Sequence, residues 1–178
     1  MELKQKGEQA NVSSFTQLMV AMKWTKAADF DLAAVYEKKD GTPPGLVYFG
    51  ELGNLNAFPF MQLSGDAGVG DNAGKNEETM RITKLDDVKK VHIICWDYGK
   101  VKTGAAARFK DSDVSLNVID DKGTVYSVNL DTGEMGNVAI IATIDNSNPI
   151  GATLVNTSKS GTLKELKNLD SLMAIING

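Results

Sequence analysis

Apolar residues recur at every second position in one short segment after another of this chain, and that period leaves little room for anything but β-strands. In 15–24 (FTQLMVAMKW), Leu18, Val20, Met22 and Trp24 fall on one face. Segment 78–83 alternates in the same way, and 46–49 gives a short strand. Segment 29–36 (DFDLAAVY) is apolar on both faces after its first residues, as a strand covered on both sides would be. Segment 91–96 (VHIICW) reads as another buried strand. Segments 114–119 and 124–130 flank Asp120-Asp121-Lys122-Gly123, a hairpin signal. Segments 137–144 and 150–155 are further strands. Between them, 38–45 is a turn-rich break, 51–60 reads as loop, and 97–110 reads as a long polar connection.

The tail changes period. Leu163, Leu166, Leu169, Leu172, Met173 and Ile176 recur at helical spacing, and Thr162 with Glu165 forms a capping box. A helix is therefore expected over about 162–176, its apolar stripe needing a surface to dock on, here or on another chain. Nine or ten short strands and one terminal helix specify an all-β fold: an antiparallel β-sandwich of two sheets with a C-terminal helix. At 178 residues, with no dividing linker and no internal repeat, residues 1–178 are expected to form a single domain with a substantial core.

Composition narrows the partners. A formal net charge of -4 argues against a nucleic-acid partner. No apolar run reaches 18 residues, so no transmembrane segment is expected. The first ten residues are polar, and a cytoplasmic location is the expectation. The single cysteine, Cys95, excludes an internal disulfide framework, and the single histidine, His92, excludes any site needing two.

The segment richest in chemistry is 64–79 (SGDAGVGDNAGKNEET). Asp66, Asp71, Asn72, Asn76, Glu77 and Glu78 alternate there with Gly65, Gly68, Gly70 and Gly74. Crowded carboxylates repel one another unless a cation sits among them, and calcium takes its oxygen ligands from such side chains and from backbone carbonyls. Glycines let the backbone curl so that carbonyls can join. The Asp, Gly and Glu offsets do not fit an EF-hand. Two readings stand: a calcium loop, or a solvated acidic loop joining two strands. Two carboxylates on the early strand belong to the first. Asp29 and Asp31 share a face with Ala33 and Val35, and Glu78 precedes Met80 and Ile82 in the same manner. These acids are expected to converge at the rim of the sandwich, with Asp66 and Asp71 closing from the loop.

Other candidates are weaker. If 91–96 is one strand, His92 and Cys95 point to opposite faces and cannot form a nucleophilic pair, which leaves a core cysteine and a partly exposed histidine. Gly65, Gly68 and Gly70 precede a strand and so do not make a dinucleotide fingerprint. Asp120 and Asp121 read as turn residues. Lys100, Lys102, Arg108 and Lys110 cluster in one connection, either as a solvated loop or as a partner contact.

Ala28-Asp29-Phe30-Asp31-Leu32, Val47-Tyr48-Phe49, Ser64-Gly65-Asp66, Asn76-Glu77-Glu78-Thr79 and Arg81-Ile82, in that order, resemble the tellurium-resistance, TerD-like stress proteins. The opening Leu3-Lys4-Gln5-Lys6-Gly7-Glu8 and the later Asp86-Asp87-Val88-Lys89-Lys90-Val91 are similar to that family too, and the likeness extends to about Asp145. The resemblance implies a two-sheet β-sandwich that binds calcium ions at one end. Its ligands would be Asp29 and Asp31, Asp66, and the doublet Glu77-Glu78, with Asp71 added from the loop. It implies a role in resistance to tellurite and other stresses, with protein partners in an assembly associated with the membrane. The first reading of the chain is a non-enzymatic calcium-binding stress protein, acting as a scaffold or sensor. The chain departs from the family pattern at Ala33, in the lower acidity of 70–74 and in the basic residues after Asp97. A second reading is an intracellular calcium-dependent module for a small ligand such as a sugar or nucleotide, favoured if Phe58 and Phe60 stand exposed beside the ion.

Overall fold

Leu18, Val20, Met22 and Trp24 are all buried, each at most 2% exposed, and the strand that carries them lies at the centre of one of two packed sheets. The computed structural model describes residues 1–25, 30–64, 76–97, 100–101, 107–108, 114–133, 135–163 and 169–178. Among these residues the first half of the chain forms β1 (Glu2–Leu3), β2 (Gln9–Val12), β3 (Leu18–Trp24), β4 (Phe30–Lys38), β5 (Gly45–Val47), β6 (Gly53–Asn54), β7 (Met61–Leu63) and β8 (Asn76–Ile82). The second half forms β9 (Val88–Asp97), β10 (Ala107–Arg108), β11 (Ser115–Asp120), β12 (Val125–Asn129), β13 (Met135–Gly136), β14 (Val138–Asp145) and β15 (Ala152–Gly161), followed by a helix, Leu169–Asn177.

One sheet runs β1-β12-β11-β3-β8-β7-β6 and the other β2-β15-β14-β9-β4-β5, with β10 and β13 as a separate ribbon. Every pairing is antiparallel except β1 with β12. The expected two-sheet antiparallel sandwich with a terminal helix is what the chain forms.

The two sheets differ in how they meet water. The first is amphipathic: Val20, Met80 and Leu116 face the other sheet, while Lys23, Glu77 and Arg81 are exposed. The second is covered on both sides. Phe30, Leu32 and Ala34 of β4, with Val91, Ile93 and Cys95 of β9, pack into the core between the sheets. Ala33 and Val35, with Ile94, Trp96, Val138 and Ile140, form a second apolar cluster on the outer face. Leu172 and Ile176 of the helix close that cluster. The Leu and Met stripe therefore docks on its own chain. Contact is close: a Cβ on Gly161 would lie 2.7 Å from Ile175, so only glycine lets the helix rest there. Lys159 holds the end of the helix, its ammonium donating to the carbonyls of Ile176 at 2.7 Å and Gly178 at 2.9 Å.

Several element boundaries differ from the sequence reading. Among the described residues the helix spans Leu169–Asn177, and Thr162 and Leu163 lie in non-helical backbone. Asn137 claims Leu163 by two hydrogen bonds, donating to its carbonyl at 2.6 Å and accepting from its N–H at 2.7 Å. Leu166 and Glu165, and with the latter the capping box, lie outside the described residues. The last strand starts at Ala152 and runs to Gly161, while Ile150 sits in the preceding turn, 93% exposed. Two short strands, β6 and β10, interrupt segments read as loop and as polar connection.

Candidate functional site

The C-terminal ends of β3 and β9 and the N-terminal ends of β4 and β8 meet at one end of the sandwich. Trp24 is opposite Asn76, and Phe30 is opposite Asp97, in the two sheets. The rings of Trp24 and Phe30 meet edge to face across the gap, with centroids 5.7 Å apart. The acidic segment enters β8 at this end.

Two of the sequence-derived ligands are buried here: Asp31 and Glu78 are each 5% exposed. Glu78 shares the inward face with Met80 and Ile82, as its strand parity requires. Its carboxylate reaches across to the other sheet, where Oε1 accepts the Leu32 N–H at 3.2 Å. That amide belongs to the Asp31–Leu32 peptide, so Glu78 and Asp31 are brought to the same point of β4. Their approach differs from the expected one. Asp31 does share a face with Ala33 and Val35, but it is the outer face of its sheet, since Leu32 and Phe30 take the inner one. Because β4 is apolar on both sides, its pattern could not reveal which face turns inward.

Glu77 points the other way. Its carboxylate is half exposed and lies 3.4 Å from the Lys23 ammonium, opposite it in the register. Asp29, Asp66 and Asp71 lie outside the described residues. Among the described residues no group of three or more His, Cys, Asp or Glu side chains is gathered closely enough to hold a metal ion. Asp97, read from the sequence as the start of a connection, ends β9 at the same end and accepts the Lys100 N–H at 3.2 Å. Its position becomes visible only once β9 is paired with β4.

Cys95 registers these charges. Complete burial pushes its thiol well above the usual range, and the nearby carboxylates of Glu78, Asp31 and Asp97 push it further. It therefore stays protonated and is neither a nucleophile nor a ready metal ligand. His92 lies on the opposite face of β9, as expected, but it is 4% exposed and not half open. Its Nε2 is 2.6 Å from the Glu37 carboxylate and its Nδ1 is 3.1 Å from the Thr143 hydroxyl, which is 2.6 Å from that of Thr157. A carboxylate only accepts, so Nε2 carries the hydrogen and Nδ1 accepts from Thr143 in the neutral ring. Asp120 is a turn residue, as expected, accepting the N–H groups of Lys122 and Thr124, both at 2.9 Å, yet it is buried.

No family model matches the sequence, and no curated protein matches it either. Solved structures do. The chain superposes on the crystal structure of a protein of unknown function, SAV2460, with a TM-score of 0.57 and 13% identity, covering 83% of this chain and 93% of that one. It also superposes on SCO6318 from Streptomyces coelicolor A3(2), described as a homologue of the telluride resistance protein TerD. There the TM-score is 0.55 and the identity 16%, over 84% of this chain and 89% of that one. The chain has the fold of a TerD homologue. At these identities the likeness is one of architecture.

Among the described residues no helix is long and apolar enough to cross a membrane.

Proposed function

We propose that this protein binds calcium at the end of the sandwich where the acidic segment enters, and that it acts as a non-enzymatic scaffold or sensor in a stress response of the tellurium-resistance type. The observation that carries the reading is the pair of buried carboxylates. Asp31 and Glu78 are each 5% exposed, and Glu78 accepts the N–H of Leu32, the residue that follows Asp31 on β4. Calcium is the cation that suits hard oxygen donors in an adaptable geometry, and it takes six to eight of them. Asp31 and Glu78 are donors of that class. Asp29, Asp66 and Asp71 are the further ligands the sequence offers, with Glu77 at the edge and engaged by Lys23. The role in stress response rests on the shared architecture with a TerD homologue.

Calorimetric titration with calcium tests this directly. Wild-type protein should bind with a saturable heat. Glu78→Gln, which keeps an oxygen for the Leu32 N–H, and Asp31→Asn should each weaken binding about tenfold or more, the equivalent of ~1.4 kcal/mol. Asp170→Asn, at an exposed carboxylate in the first turn of the helix, should bind like wild type. Absence of heat in the wild type, or equal affinity in all four proteins, would contradict the proposal.

A further inference from the structure

The opposite end of the sandwich opens into a cavity of about 1000 Å³, at the upper end of the size of small-molecule sites. Four connections wall it: Ser13 and Ser14 between β2 and β3, Asn56 and Phe60 between β6 and β7, Lys84 and Asp86 between β8 and β9, and Ile150 between β14 and β15. It is remote from the acidic end. Phe60 sits beside Thr83, just past the C-terminal end of β8, and the acidic segment feeds the N-terminal end of that seven-residue strand, roughly 20 Å away at strand rise.

Phe60 is built into the wall under strain. It adopts a φ of 58°, a left-handed conformation rare for a bulky side chain. Three hydrogen bonds hold it there. Its N–H donates to Ala57 at 2.7 Å, and its carbonyl accepts from the Thr83 N–H at 2.9 Å and the Thr83 hydroxyl at 3.3 Å. Strain of this kind, fixed by its surroundings, is characteristic of ligand clamps. The ammonium of Lys84 lies over the ring, 5.0 Å from its centroid. The connection that carries Lys84 is itself pinned, because the Asn146 amide donates to the carbonyls of Leu85 at 2.8 Å and Val88 at 3.1 Å.

Charge on the rim completes the picture. Lys84 and Asp86 stand two residues apart, both exposed. The ion pairs among the described residues are Lys4 with Glu2, Lys23 with Glu77 and His92 with Glu37, so Lys84 and Asp86 neutralise neither each other nor another described side chain. Ile150, which is 93% exposed, and the Phe60 ring beneath Lys84 line the same cavity. A purely anionic ligand would be repelled by Asp86 and a purely cationic one by Lys84. A molecule with a carboxylate, an ammonium group and an apolar body satisfies both charges and covers the apolar wall. We infer that this cavity binds a free amino acid with a large apolar or aromatic side chain, its carboxylate toward Lys84, its ammonium group toward Asp86 and its side chain against Phe60 and Ile150.

Three ligands of one shape separate these contacts: phenylalanine, 3-phenylpropionate, which lacks the amine, and phenethylamine, which lacks the carboxylate. Titrations run in chelator keep calcium out of the result. Phenylalanine should bind the wild type, and each analogue should bind about tenfold or more weakly. Lys84→Gln should bring phenylalanine down to the level of phenethylamine, and Asp86→Asn should bring it down to that of phenylpropionate. Both substitutions are at exposed side chains, and a wild-type circular dichroism spectrum and melting temperature establish that the fold is kept. Phenylalanine that fails to bind saturably at millimolar concentration would overturn the inference. So would an analogue that binds the wild type as well as phenylalanine does, or variants that bind all three ligands as the wild type does.

Discussion

Burial makes it harder for His92 to take up a proton, and Lys90 and Lys159 add to that, while its hydrogen bond to Glu37 and the charge of that carboxylate favour protonation; the balance leaves the ring below its ordinary pKa of 6.5. The unfolded chain therefore takes up the proton first as pH falls. Stability should be constant above about pH 6.5, decline from there down to the lower folded-state value, and level off below it in so far as His92 is concerned. His92→Gln should remove that part of the slope in denaturant titrations between pH 7 and pH 5; an unchanged slope would show that another group is responsible. Asn137, fully buried, is a sharper structural pin. Asn137→Ala leaves the N–H and carbonyl of Leu163 without their partners, at roughly 1–3 kcal/mol for each buried group. Chemical denaturation should show a loss of about 2–6 kcal/mol. Little of this was legible in the sequence. His92, Glu37 and Thr143 come from three strands, and only the pairing of β4, β9 and β14 puts them side by side.

The strands themselves were legible where one face meets water. The alternation of β3 placed Leu18, Val20, Met22 and Trp24 together because, on the other side, Lys23 is exposed, Met19 is partly so and Ala21 is small. Where both faces are covered, as in β4, the period is lost and the facing of Asp31 with it. In β15 the polar face of Thr153, Thr157 and Lys159 disguised a strand that continues to Gly161. The helical spacing was right about the tail's surface but began too early, since Asn137 competes for Leu163. Docking of the helix on its own sheet yields a prediction at this scale. Ending the chain after Gly161 would uncover Ile94, Trp96 and Ile140, at about 25 cal/mol for each Å² of apolar surface exposed. The truncated protein should bind hydrophobic dyes or aggregate, and the emission of Trp96, now fully buried, should shift to the red. A truncated chain that stays soluble, equally stable and blue-emitting would refute the packing described.

Taken whole, the molecule is a sandwich with chemically distinct ends. Buried Asp31 and Glu78 lie where β4 and β8 begin, and a mixed polar and aromatic cavity opens where β8 ends. The aromatic residues Phe58 and Phe60 belong to the second end, away from Asp31 and Glu78. The composition of 64–79 announced the first end; the second was hidden because its walls come from four connections far apart in sequence. The measurement that bears most directly on the calcium reading is thermal unfolding with and without the ion. Binding to the native state alone adds about 2.7 kcal/mol at a hundredfold excess over the dissociation constant, which for a chain of this size raises the melting temperature by roughly 5–10 °C. Magnesium, which demands octahedral geometry and gives up its waters reluctantly, should raise it less. Melting curves that superimpose in millimolar calcium and in chelator would contradict the account.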